Sequence, residues 1–480
     1  MKENGGLLLL TALSLLAYGG MVRMQWLYGT LRDGRTPQTI AWYLLAFLAY
    51  LGAILWAEKR GISLRWLWGT AVIFRLLLLF TTPTLSDDVY RYLWDGYVTN
   101  QGISPYAYAI NSPELDSLDI PQRTQANNAW MASPYLPAAQ IVFGGVTAVF
   151  PLQSIFLQII MLLFDLLNAW LLSRLLTLAL LPPRRLLLYL WNPLVIVEVA
   201  HSAHIDAWML LLTLLAIYLT LKPYPHTNQT AQHKLKTVNC LSPLFLTLAT
   251  LTKPLPVLLS PILFWHWTWV QRILYGLLTL ILLIPFGLQA GWGLSGELDG
   301  TGLFGALRIY GRQWNFNSGP FHWLELYLGQ RGLPDPADTG KLIIGGVMVV
   351  VLTAVFLLAR TRTAPRVTLR LMSLPLIGYV LLTPTLHPWY TLILLAFLPF
   401  LPPAEGESNW RWLLAAPWIY LSGALIFSYL TYLDPLNFGE LEWVRHLEWL
   451  PTLTLLLLAT LAAIRKIWNK MWINAEQTNS

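Results

Sequence analysis

Two adjacent acids close an apolar run in Thr84-Leu85-Ser86-Asp87-Asp88-Val89-Tyr90-Arg91-Tyr92-Leu93-Trp94-Asp95-Gly96. Neighbouring carboxylates repel, so one of them keeps a proton more readily or calls for a cation. Either outcome suits a general base or a metal ligand. The competing reading is structural: Ser and Asp commonly accept hydrogen bonds from the first N–H groups of a following helix. Arg91, Tyr92, Trp94 and Asp95 follow at helical spacing and predict a polar-aromatic face, until Gly102-Ile-Ser104-Pro105-Tyr106 breaks the helix.

Three further constellations carry ionisable groups among apolar residues. Trp191-Asn192-Pro193 is followed by Glu198, His201, His204 and Asp206. The spacing of His201 and His204 predicts one shared helical face, and the set permits a metal site without specifying one. Lys253 sits in Thr252-Lys253-Pro254 between apolar runs. A buried ammonium needs an anion, and a phosphate would serve, with Arg308 and Arg312 from a later loop; snorkelling to the interface is the alternative. His387-Pro388-Trp389-Tyr390 marks another helix start, where His387 could bond a phosphate or a hydroxyl or be a satisfied structural histidine. Asp165, inside a span, reads as a structural partner of Arg or backbone.

The elements that must position these residues are membrane helices. Hydrophobic residues make up 56% of the chain and charged ones 11%, mean hydropathy is +0.54, and 24 Trp accompany 21 Tyr. Many of those rings fit an interfacial belt. Apolar runs near 5–22, 38–57, 65–82, 154–180, 186–201, 206–221, 240–252, 254–268, 273–289, 341–359, 367–384, 388–401, 411–430 and 448–467 predict an all-α polytopic bundle of about 14 helices, with 12–14 as the range. The run at 5–22 reads as the first span, not a signal peptide, because no A-x-A-like site follows it. The chain reads as one membrane domain over 1–480, with no inverted pair of broken helices standing out.

Lys and Arg concentrate in alternate short loops, including Pro182-Pro183-Arg184-Arg185, which puts both termini in the cytoplasm. Arg23, Arg32 and Arg35 are exceptions that fall outside. The outer loops are then about 83–153, 290–340 and 431–447, provided 138–152 lies along the outer face. The segment 222–239 reads as a cytoplasmic linker. The net charge of +7 is spread over cytoplasmic turns, which argues against nucleic acid. Cys240 alone excludes an intrachain disulfide or a Cys-rich metal site.

Acids, isolated bases and aromatics at the outer ends of helices suit an enzyme with a lipid-phosphate donor. The acid would take a proton from an acceptor hydroxyl, the bases would stabilise the departing phosphate, and aromatics would stack on sugar. A transporter or lipid flippase is the rival, and it predicts charge through the depth of the bundle. A scaffold subunit would not need such costly groups.

The 86–96 segment, with Gly102-Ile-Ser-Pro105-Tyr106, resembles the first-loop signature of bacterial GT-C glycosyltransferases, in particular the polyprenol-phosphate-mannose-dependent mannosyltransferases and their uncharacterised relatives. Trp191-Asn192-Pro193-Leu through His201-Ser-Ala-His204-Ile-Asp206, Lys253-Pro254, Phe316-Asn317 and His387-Pro388-Trp389-Tyr390 resemble later motifs of the group, in the same order. Ser133-Pro134-Tyr135-Leu136-Pro137-Ala138 and the His201–Asp206 stretch depart from the commoner Tyr-Pro-Pro and Gly-Ser-Gly-His-Asn-Asp.

The resemblance implies a GT-C bundle with a long first catalytic outer loop and a bacterial plasma-membrane location with an extracytoplasmic site. It implies inverting transfer of a sugar, mannose favoured, from a polyprenyl-phosphate donor to a glycan or lipid acceptor. Asp87 or Asp88 would be the base. Lys253, Arg308, Arg312 and His387 would hold the phosphate. Arg91, Tyr92, Trp94, Asp95, His201, His204, Asp206, Asn317, Trp389 and Tyr390 would hold substrate. The need for a divalent cation stays open.

Overall fold

The computed structural model describes residues 5–222, 240–295, 299–404, 406–434 and 439–479. Apart from Lys222, the linker expected at 222–239 lies outside the described residues, as do 296–298 and 435–438 of the expected outer loops. Among the described residues the chain is helical, with one isolated parallel bridge between Phe316 and Thr385 and no strand. It is a polytopic all-α membrane protein.

Among the described residues eight helices are long and apolar enough to cross a bilayer, or nine if the bent pair Pro193–His201 and Asp206–Leu221 forms one span. The eight coincide with the expected spans at 5–22, 38–57, 154–180, 273–289, 341–359, 367–384, 411–430 and 448–467. The other six fall on shorter or broken helices: Leu64–Leu78, the two arms of the bent pair, Leu241–Thr250, Leu255–His266 and Pro388–Phe400. Hydropathy reads these pieces as spans because their sequences are equally apolar; only their length and direction set them apart.

The breaks have local causes. Asn192 caps Pro193–Ile196 by accepting from the Leu194 N–H at 3.0 Å. The helix widens into a π-turn at Val197–His201, Ala203 adopts φ +57°, and the chain leaves at 117°. Pro254 and Pro256 interrupt the second apolar run, since proline lacks the N–H that continues a helix. Irregular backbone at this depth is tolerated only where protein surrounds it or it lines a cavity. The two breaks meet each other: Lys253 Nζ lies 2.5 Å from Asp206 Oδ2.

The acids open the helix Asp88–Asn100, which lies against Pro137–Val149. Thirteen residues rise about 20 Å, too short for a ~30 Å hydrocarbon core. At that length the helix does not cross the core by itself. Close packing is enforced at Gly96, where a Cβ would stand 2.3 Å from the Phe143 carbonyl oxygen. Tyr92 stacks on Phe143 at 4.4 Å and meets Tyr135 edge-on at 5.0 Å.

Candidate active site

The acid pair is split between two tasks. Asp87 occupies the N-cap position but makes no capping bond; its carboxylate receives both hydrogen bonds from Arg32 Nη1 at 2.9 Å. The helix entry is served instead by Ser86, whose Oγ accepts from the Asp88 N–H. Asp88 turns the other way, and its Oδ1 accepts from Asn127 Nδ2 at 2.7 Å. Burial pushes the Asp88 carboxyl above the usual carboxylate range, against the Lys253 charge and the Asn127 bond. Arg32, which the charge count set apart, is thus the partner of Asp87.

Both acids border a cavity of about 730 Å³, a size that suits a sugar and its phosphate. Of the residues picked from sequence, Asp87, Asp88, Lys253, His387, Trp389 and Tyr390 line it. Lys253 is nearly buried, spends one donor on Asp206, and sits 5.1 Å over the Tyr390 ring. Its ammonium has three donors, so the salt bridge leaves others for an anion.

Rings stack along one wall, Phe316 on His387 at 4.7 Å and His387 on Trp389 at 4.5 Å, and Trp389 stacks in turn on His204, behind the lining, at 4.0 Å. Backbone bonds from the Phe316 N–H to Pro384 and from the Leu386 N–H to Phe316 clamp the two strands of loop that carry it. Tyr310 reaches His387 Nε2 at 3.3 Å and receives a bond from Tyr390 at 3.0 Å. Burial, with the Lys253 charge, holds His387 down at about 3. His387 is accordingly a neutral hydrogen-bonding group and not a cation.

Other sequence candidates act from behind the lining. Arg91 and Asp95 pair at 2.9 Å, with Arg91 also bonding the carbonyls of Asn127, Asn128 and Met131, and Asp95 receiving Ser133 Oγ. They hold the loop that presents Asn127 and Tyr135. Tyr92 and Trp94 are buried in packing clusters. His201 accepts from the Thr84 and Leu85 N–H groups and meets Thr81 Oγ1 at 2.7 Å, so it braces the turn that delivers the acids. His201 and His204 do not share a face, because the π-turn and the bend intervene. Asn317, at φ +51°, donates its N–H to Glu440.

Arg308 and Arg312 are not brought to the cavity. Arg308 bonds the Gly293 carbonyl and Arg312 is exposed, while Leu307, Tyr310 and Gly311 of the same helix face inward. Asn127, Tyr135, Tyr310, Tyr429 and Glu440 line the cavity without having been singled out from sequence, where they are ordinary polar loop or aromatic residues. Among the described residues, no three His, Cys, Asp or Glu side chains form a metal-ligand set.

The chain matches the family described as Alpha-(1->6)-mannopyranosyltransferase, N-terminal domain, over residues 8–269. It belongs to that family. The matched region contains the acid pair, the bent helix and Lys253, while the aromatic wall from Tyr310 onward lies beyond it. Mannosyl transfer is therefore the activity that membership supports. No curated protein and no solved structure matches the chain.

Proposed function

We propose that this family member moves mannose from a polyprenyl-phosphate donor to an acceptor hydroxyl in one inverting displacement on the extracytoplasmic face of the bacterial plasma membrane, with Asp88 as general base. The observation that carries the reading is the shared cavity in which Asp88, free of Arg32, is electrostatically coupled to Lys253 beside a wall of aromatic rings. The acceptor oxygen attacks the anomeric carbon and gives its proton to Asp88. The carbon–oxygen bond to phosphate breaks, and polyprenyl phosphate leaves toward Lys253. If the family's alpha linkage is the product, a single inversion requires a β-linked mannosyl phosphate donor.

The Lys/Arg distribution supports the outward face. A polar groove adjoins the cavity, sharing Asn315 and Glu440 with it, and offers a hydroxyl-rich acceptor a way in. The test is transfer from polyprenyl-phosphate-mannose to host lipid and glycan acceptors by the purified chain in bilayers. Wild-type protein should make mannoside. Asp88→Asn should bind donor but lose roughly 10²–10⁴-fold in turnover, and Asp87→Asn should lose less. Absence of product with mannose and with a panel of other lipid-phosphate sugars, alongside lipid movement without glycoside, would replace this reading with transport.

A further inference from the structure

Behind Asp88, and outside the cavity lining, lie two fully buried groups that the proposed chemistry leaves unused. His204 Nδ1 is 3.7 Å from Asp88 Oδ2, and His204 Nε2 is 3.1 Å from Glu198 Oε2. The far oxygen of Glu198 accepts from Tyr429 at 2.7 Å. Ser202 also bonds the Glu198 carboxyl, and the two His204 nitrogens have no other partner.

We infer that Glu198 and His204 position Asp88, Glu198 fixing the tautomer of His204 and His204 orienting the Asp88 carboxylate; this rests on Asp88 being the base. Hydrogen-bond accounting leads there. A neutral imidazole has one donor and one acceptor nitrogen. If Nδ1 carries the hydrogen, it faces an acceptor, Asp88, and Nε2 must receive one, which Glu198 supplies from Oε2 as a carboxylic acid. Tyr429 then serves Oε1, Ser202 also bonds the Glu198 carboxyl, and Asn127 and Tyr135 serve Asp88, so the acids of the array have complementary neighbours.

The opposite tautomer would point a lone pair at the Asp88 carboxylate. An ionised Glu198 would put a third carboxylate charge near those of Asp88 and Asp206. Stacking of Trp389 on His204, with the rings 17° from parallel and their centroids 4.0 Å apart, restrains the tilt of the imidazole. The 3.7 Å gap is ~0.5 Å beyond hydrogen-bond range, a slackness common in sites without substrate.

The experiment uses the full chain in lipid nanodiscs with polyprenyl-phosphate-mannose and measures kcat and donor KM separately. His204→Ala and Glu198→Ala should each lower kcat roughly 10–100-fold, the scale of groups that orient a reactive neighbour, with donor KM unchanged. The double variant should be no worse than either single one. Glu198→Gln should stay near wild type, because its amide N–H can donate to Nε2. An effect on KM alone, an unchanged kcat in His204→Ala, or Glu198→Gln as damaging as Glu198→Ala would each overturn the inference.

Asp88→Asn in parallel isolates the other premise: if that variant keeps its turnover, the base reading fails whatever the array does. Side-chain NMR of isotope-labelled histidine reads the array without turnover. His204 should show the Nδ1–H tautomer in wild type and Glu198→Gln and lose it in Glu198→Ala; an Nε2–H signal in wild type would overturn the assignment.

Discussion

Asp88 is useful as a base only when its proton is gone, and burial makes that proton harder to remove. The acid limb of kcat against pH should therefore lie above the usual carboxylate range, with activity rising as pH rises through it. Lys253 opposes the shift, so Lys253→Met should move the limb to still higher pH as well as weaken donor binding. A limb at the ordinary carboxylate value, unmoved by Lys253→Met, would separate the base from this cavity. Asp87 contrasts with its neighbour. Its pair with Arg32 is partly exposed, so losing it changes the presentation of the turn more than the stability of the protein.

Helices in this protein are held to one another by a few buried polar contacts as well as by apolar packing. Arg75 of Leu64–Leu78 and Asp165 of Ser154–Leu178 pair at 2.6 Å with no exposed side-chain surface. Tyr189 donates to the second Asp165 oxygen, and Arg75 donates to the Leu190 carbonyl just before the bent helix. Removing one partner strands the other charge. Arg75→Met should cost about 3–5 kcal/mol and lower the apparent melting temperature in detergent, while Arg75→Met with Asp165→Asn should recover much of it. Equal loss in both variants would mean that the helix contact, not the stranded charge, sets the cost.

At the scale of the molecule, the proposal needs the Asp88 cavity and Cys240 on opposite sides of the bilayer. Cys240 is exposed at the start of Leu241–Thr250, and Glu114 is exposed in the loop that contains the acids. A membrane-impermeant maleimide should label Cys240 only after cells are permeabilised. In a Cys240→Ser background, Glu114→Cys should react in intact cells. The reverse pattern would invert the topology and with it the face on which sugar is transferred.

Apolar run length by itself determined that the chain is a polytopic helical bundle, because a bilayer demands long segments with internally paired backbone. Residue types likewise picked out Asp87, Asp88, Lys253 and the His387–Tyr390 segment, since charge and aromatic rings placed among apolar spans are costly and noticeable. Periodicity could not separate a span from a broken helix, as with 186–201 and 240–268, where composition is alike and only the bend at 117° in the first and the shortness of the pieces in the second set them apart.

Nor could local sequence divide the labour of the two acids. That division depends on Arg32, 55 residues away from Asp87, and on Asn127, 39 away from Asp88. Glu198 and His204 drew notice as ionisable residues in an apolar stretch, but that His204 meets both Glu198 and Asp88 follows from the π-turn and the 117° bend. Contacts between distant segments have no periodic signature along the chain, so only the tertiary structure decides which buried charges meet.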